Sequence, residues 1–148
     1  MRSSRLLLDV NVLIALLDPK HDFHSVAHGW WSSVKDPAWA SCPLTENGVV
    51  RIMSNPNYHS QASFPISKVC RQLTMFSNST DHQHWPNNIS ILSSSIFDYE
   101  YILGPRQITD AYLLALAVRN GGNLVTFDTG ISITSVSAAK PENLVVIC

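Results

Sequence analysis

The sequence predicts an α/β fold in which a parallel sheet is covered by helices on both faces. Three observations carry this. Short apolar runs alternate along the chain with stretches whose apolar residues recur every three or four positions, the pattern of strand–helix units. The apolar runs are nearly continuous, as in strands buried on both sides. Two of them end in an aspartate, Leu6-Leu7-Leu8-Asp9 and Val125-Thr126-Phe127-Asp128, and functional sites of parallel sheets form beyond the carboxyl ends of the strands. At 148 residues and 45% hydrophobic, the chain is one domain, long enough to bury roughly 70% of the surface of its unfolded form.

The elements follow in order. Leu6 to Leu8 reads as the first strand, stopped at Asp9, with Asn11 placed to cap a helix from Val12 to Leu17 that ends before Pro19. From His24 to Lys35 the apolar positions Ala27, Trp30, Trp31 and Val34 make one helical stripe. A short strand follows at Ala38 to Ala40. Pro43 suits the first turn of the next helix, which carries Glu46, Val49, Val50, Ile52 and Met53 and stops at Asn55-Pro56. Ile66, Val69, Cys70, Leu73 and Phe76 form another stripe, and Ile89 to Leu92 is a third strand candidate. Ile108 to Asn120 is apolar nearly all round and is terminated by Gly121-Gly122. Leu124 to Phe127 and Leu144 to Ile147 complete the strands. Ser54 to Ser63 and Ser77 to Asn88 read as surface loops within the domain.

Composition narrows the function classes. Charged residues make up only 14% of the chain, against about 25% in an ordinary soluble domain, which favours a protein that associates with something. The net charge of -1 gives no nucleic-acid signature by itself. Setting aside Asp9, Glu46, Asp110 and Asp128 as neutralised by metal leaves 7 acidic against 10 basic residues, a balance of +3 compatible with a modest phosphate-binding surface. Cys42, Cys70 and Cys148 are odd in number and widely spaced, so neither a disulfide framework nor a zinc site is indicated and a reducing cytoplasm is expected. Asp9 and Asn11 interrupt the apolar stretch after Arg5, which therefore reads as a buried strand and helix instead of a signal peptide. No run reaches the roughly 18 apolar residues that a membrane span needs.

An acid at the end of a core strand costs several kcal/mol to desolvate unless something compensates it, most economically a cation. Two more acids open helical patterns: Glu46 in Cys42-Pro43-Leu44-Thr45-Glu46-Asn47-Gly48, and Asp110 in Ile108-Thr109-Asp110-Ala111-Tyr112. Four converging carboxylates would repel by roughly 3 kcal/mol per pair at about 5 Å and an effective dielectric near 20. Hard oxygen ligands without Cys or His select Mg²⁺ or Mn²⁺. Such ions activate water and stabilise a pentacoordinate phosphorus, so the natural reaction is phosphodiester hydrolysis. The macrodipole favours ionised acids in the first turns occupied by Asp110 and Glu46. Asn11 and Thr126, each two residues from an acid, can orient a carboxylate or a metal-bound water. Gly48 permits close approach of a neighbouring element or a substrate strand.

Asp9-Val10-Asn11, Thr45-Glu46, Thr109-Asp110-Ala111-Tyr112-Leu113 and Thr126-Phe127-Asp128 resemble the acidic motifs of the PIN-domain ribonucleases, specifically the VapC toxins of bacterial toxin–antitoxin pairs. The likeness is strongest over Glu46 to Pro56 and from Arg106 to Asp128. It implies a three-layer α/β/α PIN fold with a central, mostly parallel sheet of four to five strands. It also implies Mg²⁺- or Mn²⁺-dependent cleavage of RNA by Asp9, Glu46, Asp110 and Asp128, with Asp9, Asp110 and Asp128 on the metal and Asn11 as a polar support. Homodimerisation and inhibition by a cognate VapB antitoxin are further implications. Many members carry another acid a few residues beyond the position of Asp128, where this chain has Thr129, Gly130 and Ile131, which bears on whether a second metal site exists.

Other readings are weaker. A haloacid-dehalogenase-type phosphatase needs a second Asp where Asn11 stands. A phosphoreceiver domain needs its Lys-Pro after the last strand, whereas Lys140-Pro141 precedes it. The competitor from another class is a catalytically inactive PIN-like module that binds RNA or protein, but such a module gains nothing from four mutually repelling acids. Arg51 either holds a substrate phosphate or pairs with an acid. His21, His24 and His28 share a helix face and read as solvated imidazoles before they read as a zinc site, and His82 and His84 read as loop residues. Trp30 and Trp31 read as core or dimer contacts in preference to a base-stacking platform.

Overall fold

The computed structural model describes residues 4–58 and 64–148, so the expected loop from Ser54 to Ser63 lies partly outside the described residues. Five strands form one sheet: β1 (Leu6–Leu8), β2 (Ala38–Ser41), β3 (Asp81–His84), β4 (Asn123–Thr126) and β5 (Leu144–Val146). Their spatial order is β3-β2-β1-β4-β5, and every pairing is parallel. The helices are α1 (Val10–Leu17), α2 (His24–Ser33), α3 (Pro43–Met53), α4 (Ile66–Asn78) and α5 (Ile108–Arg119). The expected parallel sheet is therefore present.

Side-chain alternation along the central strand builds the layers. Leu8 joins Trp39 and Val125 in a core formed with α1, α2, α3 and α4, including Leu13, Val49, Met53 and Val69. Leu7 points to the other face and joins Ala40 and Leu124 in a core formed with α5, including Leu113, Leu114 and Leu116. Leu7 and Leu8 have no exposed surface at all, so each side of β1 is closed and the molecule has three layers. Gly121, at φ +67, turns the chain out of α5, and a Cβ on Gly122 would lie 2.4 Å from the carbonyl oxygen of Arg5. These two glycines let α5 return directly into β4.

Three expectations are corrected. The third strand is Asp81–His84, inside the stretch read as a loop, and not Ile89 to Leu92. It is an edge strand whose side chains are mostly exposed, so it carries no apolar run to betray it. What holds it is the backbone ladder to Ala38–Ser41 and Arg5, whose Nη1 donates to the Asp81 carboxylate at 2.9 Å and to the Trp39 carbonyl at 3.0 Å. Ile89 and Ile91 instead pack irregularly against the α5 core, where the Tyr112 hydroxyl donates to the Ile89 carbonyl at 2.9 Å. Finally, Asn11 does not cap α1. The cap is Asp9, whose Oδ1 accepts from the Val10 amide at 2.8 Å, so the helix starts directly after the strand.

Candidate active site

The order 3-2-1-4-5 reverses direction between β1 and β4, the point where a parallel sheet opens a crevice at its carboxyl edge. Asp9 leaves β1 on one side of that point, and Asp128 stands two residues beyond the end of β4 on the other. The Asp9 amide donates to the Val125 carbonyl at 2.9 Å, extending the ladder to the acid itself. Asp9 is only 9% exposed. Its Oδ1 is bound to the Val10 amide, and its Oδ2 accepts from the Thr126 hydroxyl at 2.8 Å. Thr126 in turn accepts the Asp128 amide at 3.0 Å, so one buried hydroxyl ties the two aspartates together. Asp128 Oδ1 accepts from the Gly130 amide at 2.7 Å, which turns the chain directly after the acid.

Asp110 completes a trio. It sits in the first turn of α5, and its carboxyl is pushed up to about 6 by burial first, then by the charges of Asp9 and Asp128 and a hydrogen bond to Asp128. Burial also pushes Asp9 above the usual carboxylate range, with the Asp128 charge adding to it and the Thr126 and Val10 hydrogen bonds opposing it. This is mutual electrostatic stress in a half-desolvated cluster. Asp110 also faces a small cleft with Tyr101, Gln107, Ile131 and Ser132.

Glu46 stands apart. It is not among the charges that raise Asp9 or Asp110. Its Oε2 accepts from the Ser41 hydroxyl at 2.6 Å and from His84 Nδ1 at 2.8 Å. The structure thus joins three of the four expected acids through direct electrostatic contact and gives the fourth its own partners. Asn11 is exposed and hydrogen-bonds to neither aspartate. Arg51 is exposed on α3 and makes no ion pair among the described residues. His24 and His28 lie ring to ring at 4.7 Å, and His24 Nδ1 contacts the Ala15 carbonyl. Trp31 packs on Phe76 at 5.4 Å, and both tryptophans border the larger core. Ser41, His82 and His84 were not expected at the site. The one signal available was the two-residue spacing of the histidines, which puts both on one face if the segment is a strand.

No group of three or more His, Cys, Asp or Glu side chains among the described residues stands ready-made as a metal cage. The trio fits a hard divalent cation by its donor chemistry: carboxylate oxygens only, mutually repelling, with the Asp9 carboxylate and the Asp128 backbone both held by Thr126. Neutralising that repulsion is what the arrangement asks of a ligand.

Comparison with known proteins agrees with this fold. The family model of the PIN domain matches residues 6–136. The chain is 43% identical over 140 residues to Ribonuclease VapC44 of Mycobacterium tuberculosis, covering 95% of this chain and 97% of that protein. It is 39% identical over 138 residues to Ribonuclease VapC39 of the same organism, covering 93% and 98%. Among solved structures, M. tuberculosis VapC20, a Sarcin-Ricin loop cleaving toxin, superposes with a TM-score of 0.61 over 92% of this chain and 99% of that one. At 14% identity that likeness speaks to the fold alone.

Proposed function

Since this chain belongs to the PIN-domain family and, within it, to the VapC ribonucleases, we propose that it is a Mg²⁺- or Mn²⁺-dependent endoribonuclease toxin held in check by a cognate VapB-type antitoxin. The single observation that carries the metal dependence is the stressed trio, in which Asp110 is raised to about 6 beside Asp9 and Asp128. Asp9, Asp110 and Asp128 would hold the ion. When bound, it would activate a water and neutralise charge developing on the phosphate.

The chain's own residues do the rest. Thr126 fixes the Asp9 carboxylate and, by accepting the Asp128 amide, the start of the following loop. Asp9 Oδ1 accepts from the Val10 amide and Oδ2 from the Thr126 hydroxyl, and each oxygen keeps further acceptor capacity. Glu46 contributes a partly exposed carboxylate, and Arg51 on the same helix offers an exposed cation to an RNA phosphate. Asn11, exposed in the first turn of α1, would support substrate or water. Homodimerisation and antitoxin capture draw support from exposed apolar residues such as Leu92 and Leu103, which are 85% and 80% exposed. No helix among the described residues is long and apolar enough to cross a membrane, and we place the enzyme in the cytoplasm with its RNA.

The test is incubation of the purified protein with total RNA in Mg²⁺, Mn²⁺ or EDTA beside an Asp110→Asn variant. Discrete metal-dependent fragments that vanish in the variant are expected. Cleavage that persists in the variant, or in EDTA, would overturn the mechanism. Absence of cleavage in antitoxin-free protein would favour a binding module.

A further inference from the structure

The side chain of Glu46 is held at one oxygen and open at the other. Ser41 Oγ, on a residue with 1% exposure, donates to Oε2 at 2.6 Å. His84 Nδ1 reaches the same oxygen at 2.8 Å. Among the described residues Oε1 accepts no hydrogen bond. Because the Ser41 proton is committed to the carboxylate, the 2.7 Å contact between Ser41 Oγ and His82 Nε2 requires that the ring nitrogen carry the donated proton. The His84 contact likewise requires a proton on Nδ1. The two rings therefore adopt opposite tautomers when neutral, His82 protonated on Nε2 and His84 on Nδ1.

The fold makes this arrangement through register. Ser41 pairs with His84 and Trp39 with His82 across the β2–β3 ladder, so alternation puts both imidazoles on the face shared by Trp39 and Ser41. His82 is braced against the Trp39 ring at 4.4 Å, and burial holds it below the usual imidazole range. Stability does not account for the arrangement. The side chains of His84 and Glu46 are 51% and 32% exposed, and such pairs contribute little to folding. Two donors on one oxygen do, however, restrict a side chain that would otherwise sample many rotamers.

We propose that Ser41, His82 and His84 are positioning residues for the ribonuclease reaction, forming a clamp that saturates Glu46 Oε2 and presents Oε1 as the working atom. The inference rests on the nuclease reading above. Asparagine places its amide nitrogen where a histidine has Nδ1, and glutamine where it has Nε2. His84→Asn and His82→Gln should therefore keep activity. His84→Gln, His82→Asn and Ser41→Ala should lose kcat by about 10- to 100-fold, in the range of lost orienting partners. KM should stay within about twofold, because an aimed carboxylate acts in the transition state.

Melting temperatures of all five variants separate misfolding from misaiming. Ring ¹⁵N–¹H spectra of the parent and of Glu46→Gln read the clamp without any activity: protons on His84 Nδ1 and His82 Nε2 are expected, with the His84 signals shifted by Glu46→Gln. The proposal is overturned if His84→Asn and His84→Gln behave alike in well-folded proteins, if KM rises in place of the kcat loss, or if the ring protons sit on the opposite nitrogens. A parent protein that cuts no RNA would overturn the nuclease reading, and the ring spectra would still uphold or overturn the clamp itself.

Discussion

Asp110 shows how one residue's chemistry connects the fold to its proposed work. Its carboxyl titrates near 6 where the ordinary value is 3.8, so the folded state favours the protonated form. The unfolded chain releases that proton first as pH rises. Stability from this group is therefore complete below about 3.8, declines between 3.8 and about 6, and is absent above. Asp110→Asn removes the cost of ionisation. In EDTA at pH 7.5 the variant should melt a few degrees above the parent, a modest figure because the site is half-exposed and screened. At pH 4 the two should melt together. Thermal unfolding followed by circular dichroism across that range checks this, and a variant that melts lower at neutral pH would show that Asp110 supports the fold. The same variant should then be more stable and inactive, the usual trade at a strained site.

At the scale of elements, the junction of α1 and α3 decides where Asp9 sits. A Cβ on Gly48 would lie 2.7 Å from Val10 Cγ2 and 3.3 Å from Cγ1. The close neighbour anticipated for this glycine is thus a helix of the same domain. Within a helix, Gly→Ala ordinarily stabilises by about 0.5–1 kcal/mol, but overpacking of a filled contact costs about 1–3 kcal/mol, and the second effect wins here. Gly48→Ala should lower the melting temperature and, by displacing the residue after Asp9, reduce RNA cleavage. Val10→Ala should restore much of both in the double variant, and a cycle showing simple additivity would dismiss the contact. Elements with apolar signatures were legible in the sequence: β1, α5 with its glycine stop, and the Pro43 start of α3. β3 was not, because an edge strand reading Asp-His-Gln-His is specified by its backbone ladder and by Arg5, neither of which leaves a periodic trace. Missing that strand also hid the histidines beside Glu46. The three aspartates were legible because each follows a buried strand or opens a buried helix, although Asp9 also caps α1, a role expected of Asn11 from the sequence.

For the whole molecule, charge and metal are linked. With a net charge of -1, the protein has little long-range pull on RNA, and Asp9, Asp110 and Asp128 stand close enough together to act on one another's charge. A cation at the trio would therefore both relieve the folded state and reverse the sign of the local field. Mg²⁺ should raise the parent's melting temperature by mass action, equivalent to about 2.7 kcal/mol at a hundred times its dissociation constant, and should do so far less for Asp110→Asn. An equal rise in both proteins would place the ion elsewhere. With the metal in place, grip on RNA depends on scattered cations, of which Arg51 is exposed and unpaired among the described residues on the helix that carries Glu46. Each single-strand phosphate neutralised contributes about 0.7 to the slope of log affinity against log salt. Fluorescence anisotropy of a labelled single-stranded RNA on the Asp110→Asn protein, which is expected to bind without cutting, should give a shallow slope that Arg51→Ala reduces by about 0.7. An unchanged slope with weaker affinity would assign Arg51 to packing of α3, and no change in either would remove it from the RNA path.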